Sequence, residues 1–484
     1  MSENIPHWLT KQASLSPHAT ALELEDGSRF TFYELMEQSQ AFARKLANQG
    51  VVEGAKVGIF STNCKGMVIA IHALSYLHAV AVLFNVRLTK KELAFQIEDA
   101  DVAQILVKDD LEDHLRDMNL STKVTPYSFV TKTEETSHQL ASEIDLEDAF
   151  TIMYTSGTTG NPKGVVHTYG NHWWSATGSA LNIGIHADDK WLAALPLFHI
   201  GGLSLLLKSV IYGMPVYLME KFNVQKVHYA IMKCNVTIAS VVTVMLQQLV
   251  DFLGEGEYPK AFRCMLLGGG PAPKGLLELS KAKQIPVFQS YGMTETSSQI
   301  VTLSPNDALR KLGSAGKPLF PAQLTIMDAD QGGVGEIVVK GPMVTRGYYK
   351  NQYATTKALK EGWLSTGDLG RLDGEGFLYV VERRNDLIIS GGENIYPSEI
   401  ESVLSSMNGV KEVGVTGIED AKWGQVPAAF IILDGPPISE AAIRQYAAEN
   451  VAAFKIPKQI YFINELPRNA SNKLLRNELY KLIP

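Results

Sequence analysis

Residues Tyr154 to Gly164 read Tyr-Thr-Ser-Gly-Thr-Thr-Gly-Asn-Pro-Lys-Gly and hold three glycines, four aliphatic hydroxyls and one lysine. That composition suits a loop wrapped around a polyphosphate. Glycines let backbone N–H groups approach an anion closely, hydroxyls add donors, and Lys163 contributes a point charge. The candidate phosphate ligands are therefore Thr155, Ser156, Gly157, Thr158, Thr159, Gly160 and Lys163. A Walker loop ends Gly-Lys-Ser/Thr at the start of a helix, whereas Lys163 follows Pro162 and precedes Gly164, which disfavours a P-loop ATPase. The alternative reading is a flexible Ser/Thr/Gly linker, against which stand the apolar strands on either side.

A chain of 484 residues exceeds what one hydrophobic core usually serves, so two or more domains are expected. The composition, 45% hydrophobic and 20% charged, is that of a soluble protein. A net charge of −7 argues against nucleic acid or an anionic membrane as partner, so any anionic ligand must be held by local cations. Cys64, Cys234 and Cys264 are far apart and form no metal-ligand pattern, which fits a reducing cytoplasm. Residues 1–13 have no apolar signal core, and no apolar run of about 18 residues follows, so neither secretion nor membrane spanning is expected.

Alternating short apolar runs and helical stretches must position the loop. Ala21 to Glu25 and Arg29 to Phe32 flank Asp26-Gly27, a hairpin signal, and Thr31 is placed to cap a helix carrying Leu35, Phe42 and Leu46. Val57 to Phe60, Ala81 to Phe84 and Gln104 to Val107 read as strands, with helical spacing in Met67 to Leu77 and Lys91 to Ile97. The style repeats with strands at Trp191 to Leu195, Pro215 to Leu218, Val236 to Ser240, Cys264 to Leu267 and Val287 to Ser290. Two α/β lobes are the expectation. From about Gly313 short strands with glycine turns suggest a small β-rich subdomain, and past Arg383 a compact α+β pattern begins.

Five motifs occur in order: Tyr154 to Gly164, Gln289 to Glu295, Ser365 to Asp368, Glu382 to Asp386 and Pro467 to Arg476. Together they resemble the acyl-adenylate-forming superfamily over essentially the whole chain. The resemblance implies an α/β protein with a large N-terminal domain, 1–384, made of two α/β lobes plus a small β-barrel-like subdomain at about 313–384. A small mobile α+β C-terminal domain, 385–484, follows it. It also implies ATP, magnesium and coenzyme A as reactants or cofactors. Finer segments, among them Ala194 to His199, Lys208 to Met214 and Gln299 to Pro305, are similar to the branch of that superfamily that joins 2-succinylbenzoate to CoA. Another aryl or fatty acid remains the alternative substrate, and a homo-oligomer stays open.

The same resemblance distributes roles. Lys473 is the catalytic lysine that bridges the attacking carboxylate and the α-phosphate, Thr294 faces that phosphate, and Glu295 holds magnesium. Asp368 and Arg383 meet the ribose. Gly268, Gly269, Gly270, Gln289, Ser290 and Tyr291 form the adenine pocket, with Tyr291 stacking, and Gly292 and Met293 also belong to the ATP site; the glycines alone would equally read as a strand-exit turn. The hinge maps to Asn385. Gly391 and Gly392 line a channel for the pantetheine arm, and Lys455 and Lys458 are candidates for the CoA phosphates. For the acyl group the candidates are Gly268, His199 and Lys208, the last two facing the second carboxylate of the acid. His199 taken alone would also read as a core histidine or a channel gate.

Overall fold

The computed structural model describes residues 3–118, 120–155, 162–269, 272–382, 387–468 and 474–483. Within them the alternating pattern resolves into two large sheets, a half-barrel and a smaller terminal sheet. The first large sheet runs Gly347–Tyr348, Lys163–Thr168, Ala149–Thr155, Val80–Phe84, Lys56–Phe60, Gln104–Val107, Lys123–Pro126. Its central strands are parallel and buried on both faces, which is why they read as unbroken apolar runs. The hydroxyl-rich run connects the antiparallel strands Ala149–Thr155 and Lys163–Thr168, whose register sets Thr155 opposite Lys163.

The second sheet runs Lys317–Pro318, Ser298–Leu303, Val287–Met293, Cys264–Gly268, Ile238–Val242, Trp191–Ala193, Val216–Leu218, Thr20–Leu24, Arg29–Thr31. Its far edge is the hairpin expected at Asp26-Gly27. Thr31 caps the helix Phe32–Asn48: its hydroxyl accepts the Glu34 N–H at 3.1 Å, and Glu34 accepts the Thr31 N–H at 2.8 Å. The helix Lys65–Tyr76 is buried along nearly its whole length, and its residues join one core with those of both sheets.

The half-barrel pairs Gln323–Met327, Gly335–Lys340, Trp363–Leu372 and Leu359–Lys360, with Leu378–Glu382 on Trp363–Leu372. Along Trp363–Leu372 burial alternates residue by residue, so successive side chains face core and solvent. Past residue 387 a sheet of Glu393–Ile395, Ile388–Ser390, Gly424–Leu433, Val410–Asp420 and Gln459–Phe462 carries the helices Pro397–Ser405 and Glu440–Asn450. Ile388, Ile400, Val415, Ile431 and Ile443 give this part a core of its own, as a separate domain requires. The expected boundary between 384 and 385 falls outside the described residues. Among those described, no helix is long and apolar enough to cross a membrane.

Candidate active site

Edge-strand residue Tyr348 joins two parts of the expected phosphate site. It pairs with Val165 across the sheet, its ring lies 4.7 Å below the Lys163 ammonium, and its hydroxyl donates to Glu295 Oε1 at 2.8 Å. The loop lysine and the carboxylate expected to hold magnesium thus share one tyrosine, although 132 positions of sequence separate them. Glu295 is 4% exposed, a burial an ionised carboxylate tolerates only with donors or cations at hand.

Thr294 and Glu295 belong to a turn held under backbone strain. Ser297 and Ser298 have φ of 53° and 106°, conformations that side chains other than glycine rarely adopt. Hydrogen bonds pin the turn: Ser175 Oγ donates to the Ser297 carbonyl at 2.6 Å and Ser297 Oγ to the Met343 carbonyl at 2.9 Å. The Thr345 N–H reaches the Glu295 carbonyl at 2.8 Å. His167 Nε2 lies 2.7 Å from the Thr294 carbonyl. A carbonyl only accepts, and burial holds the His167 imidazole neutral by lowering its pKa to about 4, so Nε2 carries the proton and Nδ1 is bare. Thr151 Oγ1, 3.2 Å from that Nδ1 and 2.9 Å from His172 Nε2, then donates to His167 and accepts from His172. Nothing in the sequence marked His167 for this task.

Asp368, assigned to the ribose, accepts from Tyr291 Oη at 2.8 Å. Tyr291 is 3% exposed and packs with Ile300, Val301 and Leu378, so here its ring is a core element. The ring expected to stack on the base is thus buried here, and its hydroxyl orients Asp368. Among the described residues Gln289 Nε2 is buried without a partner, as suits a group waiting for a ligand acceptor. Ser290 Oγ donates to the Leu267 carbonyl at 3.0 Å beside Gly268 and Gly269. Gly292 allows strand contact: a Cβ there would stand 2.1 Å from the Ser298 carbonyl oxygen.

A cavity of about 230 Å³ opens between Thr294 and the helix Ile200–Tyr212. Gly268, Gly269, Ser290, Met293, His199 and Gln299 line it, and Gln299 Oε1 is buried with no partner among the described residues. Lys208 is not in the lining. It lies deeper on the same helix, on the face of Gly201 and Ser204 by spacing, and is 2% exposed. Its ammonium sits 5.6 Å over the Trp191 ring, and among the described residues no carboxylate pairs with it. Burial pulls its pKa down to about 8.

Gly391, Gly392, Glu393 and Asn394, from the small domain, close the cavity from the other side. A Cβ on Gly392 would come 3.2 Å from Val242, and one on Gly391 2.7 Å from the Trp423 ring, so both glycines serve close packing. Glu393 accepts from Arg87 Nη1 at 2.8 Å and Asn85 Nδ2 at 3.2 Å, and lies 3.3 Å from His199 Nε2. Burial would raise its pKa, yet His199, Arg87 and Asn85 hold it below the ordinary value. A second cavity of about 430 Å³ adjoins, sharing Arg87, Pro196, Val242, Met245 and Gly391 with the first.

Lys455 also departs from its reading in the sequence. Lys455 does not offer its charge to a phosphate in this arrangement: it is buried, and Glu92 and Glu399 take its ammonium at 2.5 and 2.6 Å. Lys458 is exposed. Ser156 to Gly160, Gly270, Arg383, Asn385 and Lys473 lie outside the described residues.

Comparison with known proteins agrees with this geometry. Residues 9–349 match the model of the AMP-binding enzyme family and residues 399–473 that of the AMP-binding enzyme C-terminal domain. A 2-succinylbenzoate–CoA ligase of Oceanobacillus iheyensis is 58% identical over 99% of this chain and 100% of its own. A double mutant of o-succinylbenzoate CoA synthetase from Bacillus subtilis, bound with its product analogue OSB-NCoA, superposes with a TM-score of 0.95 at 46% identity, covering 99% of each chain. The Bacillus subtilis enzyme in complex with ATP and magnesium ion superposes at 0.78 and 46% identity, covering 99% of this chain and 100% of that one. Both family models align with the domains that build the phosphate loop and the cavity closure, and the chain belongs to the AMP-binding enzyme family.

Proposed function

We propose that this chain is an AMP-forming ligase that activates 2-succinylbenzoate with ATP and passes the acyl group to CoA, releasing AMP and pyrophosphate, a step of menaquinone biosynthesis. A carboxylate is a poor acyl donor because its oxygen leaves badly. In the first half-reaction the carboxylate oxygen attacks the α-phosphorus and the bond to the β-phosphate bridge breaks, so charge builds on phosphoryl oxygens. Positioned donors and cations stabilise that charge. The loop from Thr155 to Lys163 takes the phosphates, Thr294 faces the α-phosphate, and Lys473 bridges the two reactants. Asp368 and Arg383 bind the ribose; Gly268 to Gly270 and Gln289 to Met293 surround the base.

The residues present fit a magnesium ion. Glu295 offers an oxygen donor, phosphates and waters complete such a shell, and the described residues hold no rival cluster of three or more His, Cys, Asp or Glu. When bound, the ion neutralises charge on the polyphosphate. Tyr348 fixes one Glu295 oxygen and leaves the other for it.

In the second half-reaction the CoA sulfur attacks the acyl carbonyl carbon, the bond to the adenylate oxygen breaks, the thiol proton passes to solvent and AMP departs. The adjoining cavity bordered by Gly391 and Trp423 is the route for the pantetheine arm, and Lys458 remains the candidate for a CoA phosphate. Similarity to the product-analogue complex exceeds that to the ATP complex at equal identity. We take the arrangement seen here as that of the thioester-forming step, reached by rotation near Asn385. A cytoplasmic location suits these reactants, and assembly into a homo-oligomer is compatible with the chain.

The observation that carries the substrate is Lys208, a buried cation with no carboxylate among the described residues, beneath a cavity that ends at Thr294. An acid bearing a second anionic group, reached directly or through a water, is what such a site lacks. ATP–pyrophosphate exchange with a panel of acids tests it. 2-Succinylbenzoate should exchange fastest, and Lys208→Met should raise its KM while leaving a monoacid analogue unaffected. Preference for a monoacid in the unaltered enzyme would overturn the assignment.

A further inference from the structure

Four contacts between the domains originate from one short segment of the large domain. Asn85 and Arg87 hold Glu393, Lys91 Nζ reaches Asn450 Oδ1 at 3.0 Å, and Glu92 accepts from Lys455. The last is the most buried: the side chains of Lys455, Glu92 and Glu399 are 5%, 8% and 8% exposed. Glu399 belongs to the same small domain as Lys455, so only Glu92 crosses the divide. We propose that Lys455 is a positioning residue of the thioester-forming half-reaction, a buried cation that locks onto Glu92 and thereby holds Gly391 to Asn394 across the acyl cavity.

Glu92 is prepared for the lysine before the domains meet. It sits at the third position of the helix Lys90–Asp99, where its Oε2 accepts the Thr89 N–H at 2.8 Å and the Thr89 hydroxyl at 2.7 Å. That capping box fixes the carboxylate and leaves Oε1 for Lys455. On the other side Lys455 already has Glu399, whose Oε2 is buried with no partner among the described residues. Burial would lower the lysine's pKa, yet the two carboxylates raise it above its ordinary value, so it docks charged.

Such a cluster selects orientation better than it adds affinity. Removing three charged groups from water costs several kcal/mol, and only accurate geometry offsets it. A domain docked slightly out of register leaves a buried charge unpaired, whereas apolar contacts would tolerate the slip. When the small domain swings away for adenylation, Glu92 returns to water at no cost, and Lys455 keeps Glu399. The inference rests on the two-step reaction proposed above, and its test separates the two.

Lys455→Met and Glu92→Gln are each measured for ATP–pyrophosphate exchange and for single-turnover thioester formation from supplied acyl-adenylate and CoA. Thioester formation should fall on the order of a hundredfold in both, with exchange within about twofold of the unaltered enzyme. Glu92→Leu combined with Lys455→Met should recover part of that loss, since an apolar pair can replace a buried ionic one. Were Lys455 a phosphate ligand instead, only its own substitution would raise the CoA KM, and Glu92→Gln would be silent. Small-angle X-ray scattering reads domain arrangement without any substrate, and the docked population should fall in both single variants. Unchanged scattering together with unchanged thioester rates overturns the proposal, whereas failure of 2-succinylbenzoate to support exchange in the unaltered protein overturns the substrate reading alone.

Discussion

Replacing His167 by leucine removes the N–H that holds the Thr294 carbonyl while keeping a similar apolar volume. The carbonyl keeps the Ser297 N–H at 3.0 Å but loses its shorter, side-chain donor, which costs about 0.5–1.5 kcal/mol. The turn it belongs to already stores strain at Ser297 and Ser298, of order 1–3 kcal/mol for each such residue, and gains freedom to relax. Thr294 and Glu295 move with it. If about 1.4 to 2.7 kcal/mol of this is lost from the adenylating transition state, exchange slows roughly tenfold to a hundredfold. Pyrophosphate exchange at saturating ATP measures the effect, and thioester formation from supplied acyl-adenylate should stay near normal because no triphosphate is handled there. Glutamine, whose terminal amide N–H lies where Nε2–H does, should restore most of the rate. His167→Leu exchanging within about threefold of the parent, or glutamine failing as badly as leucine with both variants folded, would refute the argument.

Three further outcomes follow from the same geometry. Lys208, with its pKa drawn down to about 8 by burial, is charged below that pH and neutral above it. kcat/KM for the diacid should therefore fall as pH rises through about 8, and Lys208→Met should abolish that limb of the profile. Tyr348→Phe removes the donor to Glu295 and keeps the ring beneath Lys163; we expect a higher magnesium requirement for exchange with little change in ATP affinity at saturating metal. Lys473→Ala should lower adenylate formation by several orders of magnitude and spare thioester formation from supplied acyl-adenylate. Equal losses in the two steps would remove Lys473 from the role assigned to it.

Much of the fold was legible because its physics is local. Thr31 before Phe32–Asn48 is a capping signal, and the structure starts a helix there. The parallel strands read as apolar runs because both faces are covered. What was not legible is pairing at a distance: nothing near Thr20–Leu24 announces that it joins Val216–Leu218, or that Gly347–Tyr348 joins the strand after the phosphate loop. The site divides in the same way. Motif residues such as Glu295 and Asp368 stood out in the sequence, but the side chains that hold them did not. Tyr348, His167 and Arg87 carry no local mark, and Lys455 stood in a basic stretch that looked like a phosphate contact until burial set it between two acids.

The net charge of −7 gives this arrangement a common logic. An acidic protein that handles a triphosphate, a diacid and CoA cannot rely on its overall field, so each anion needs its own cation in a fixed place. Lys163 lies against Tyr348, Lys208 over Trp191, and Arg87 on Glu393. A buried lysine without a carboxylate is expensive until its ligand arrives, and one with two carboxylates is committed. Lys208 is of the first kind and Lys455 of the second. That contrast predicts opposite responses to loss of charge. Lys208→Met should make the free enzyme no less stable, because it relieves a buried charge that no carboxylate pairs among the described residues, while Lys455→Met should lower the melting temperature by leaving Glu92 and Glu399 facing each other. Thermal unfolding of the two variants side by side checks this, and a larger loss for Lys208→Met would show that the roles have been reversed.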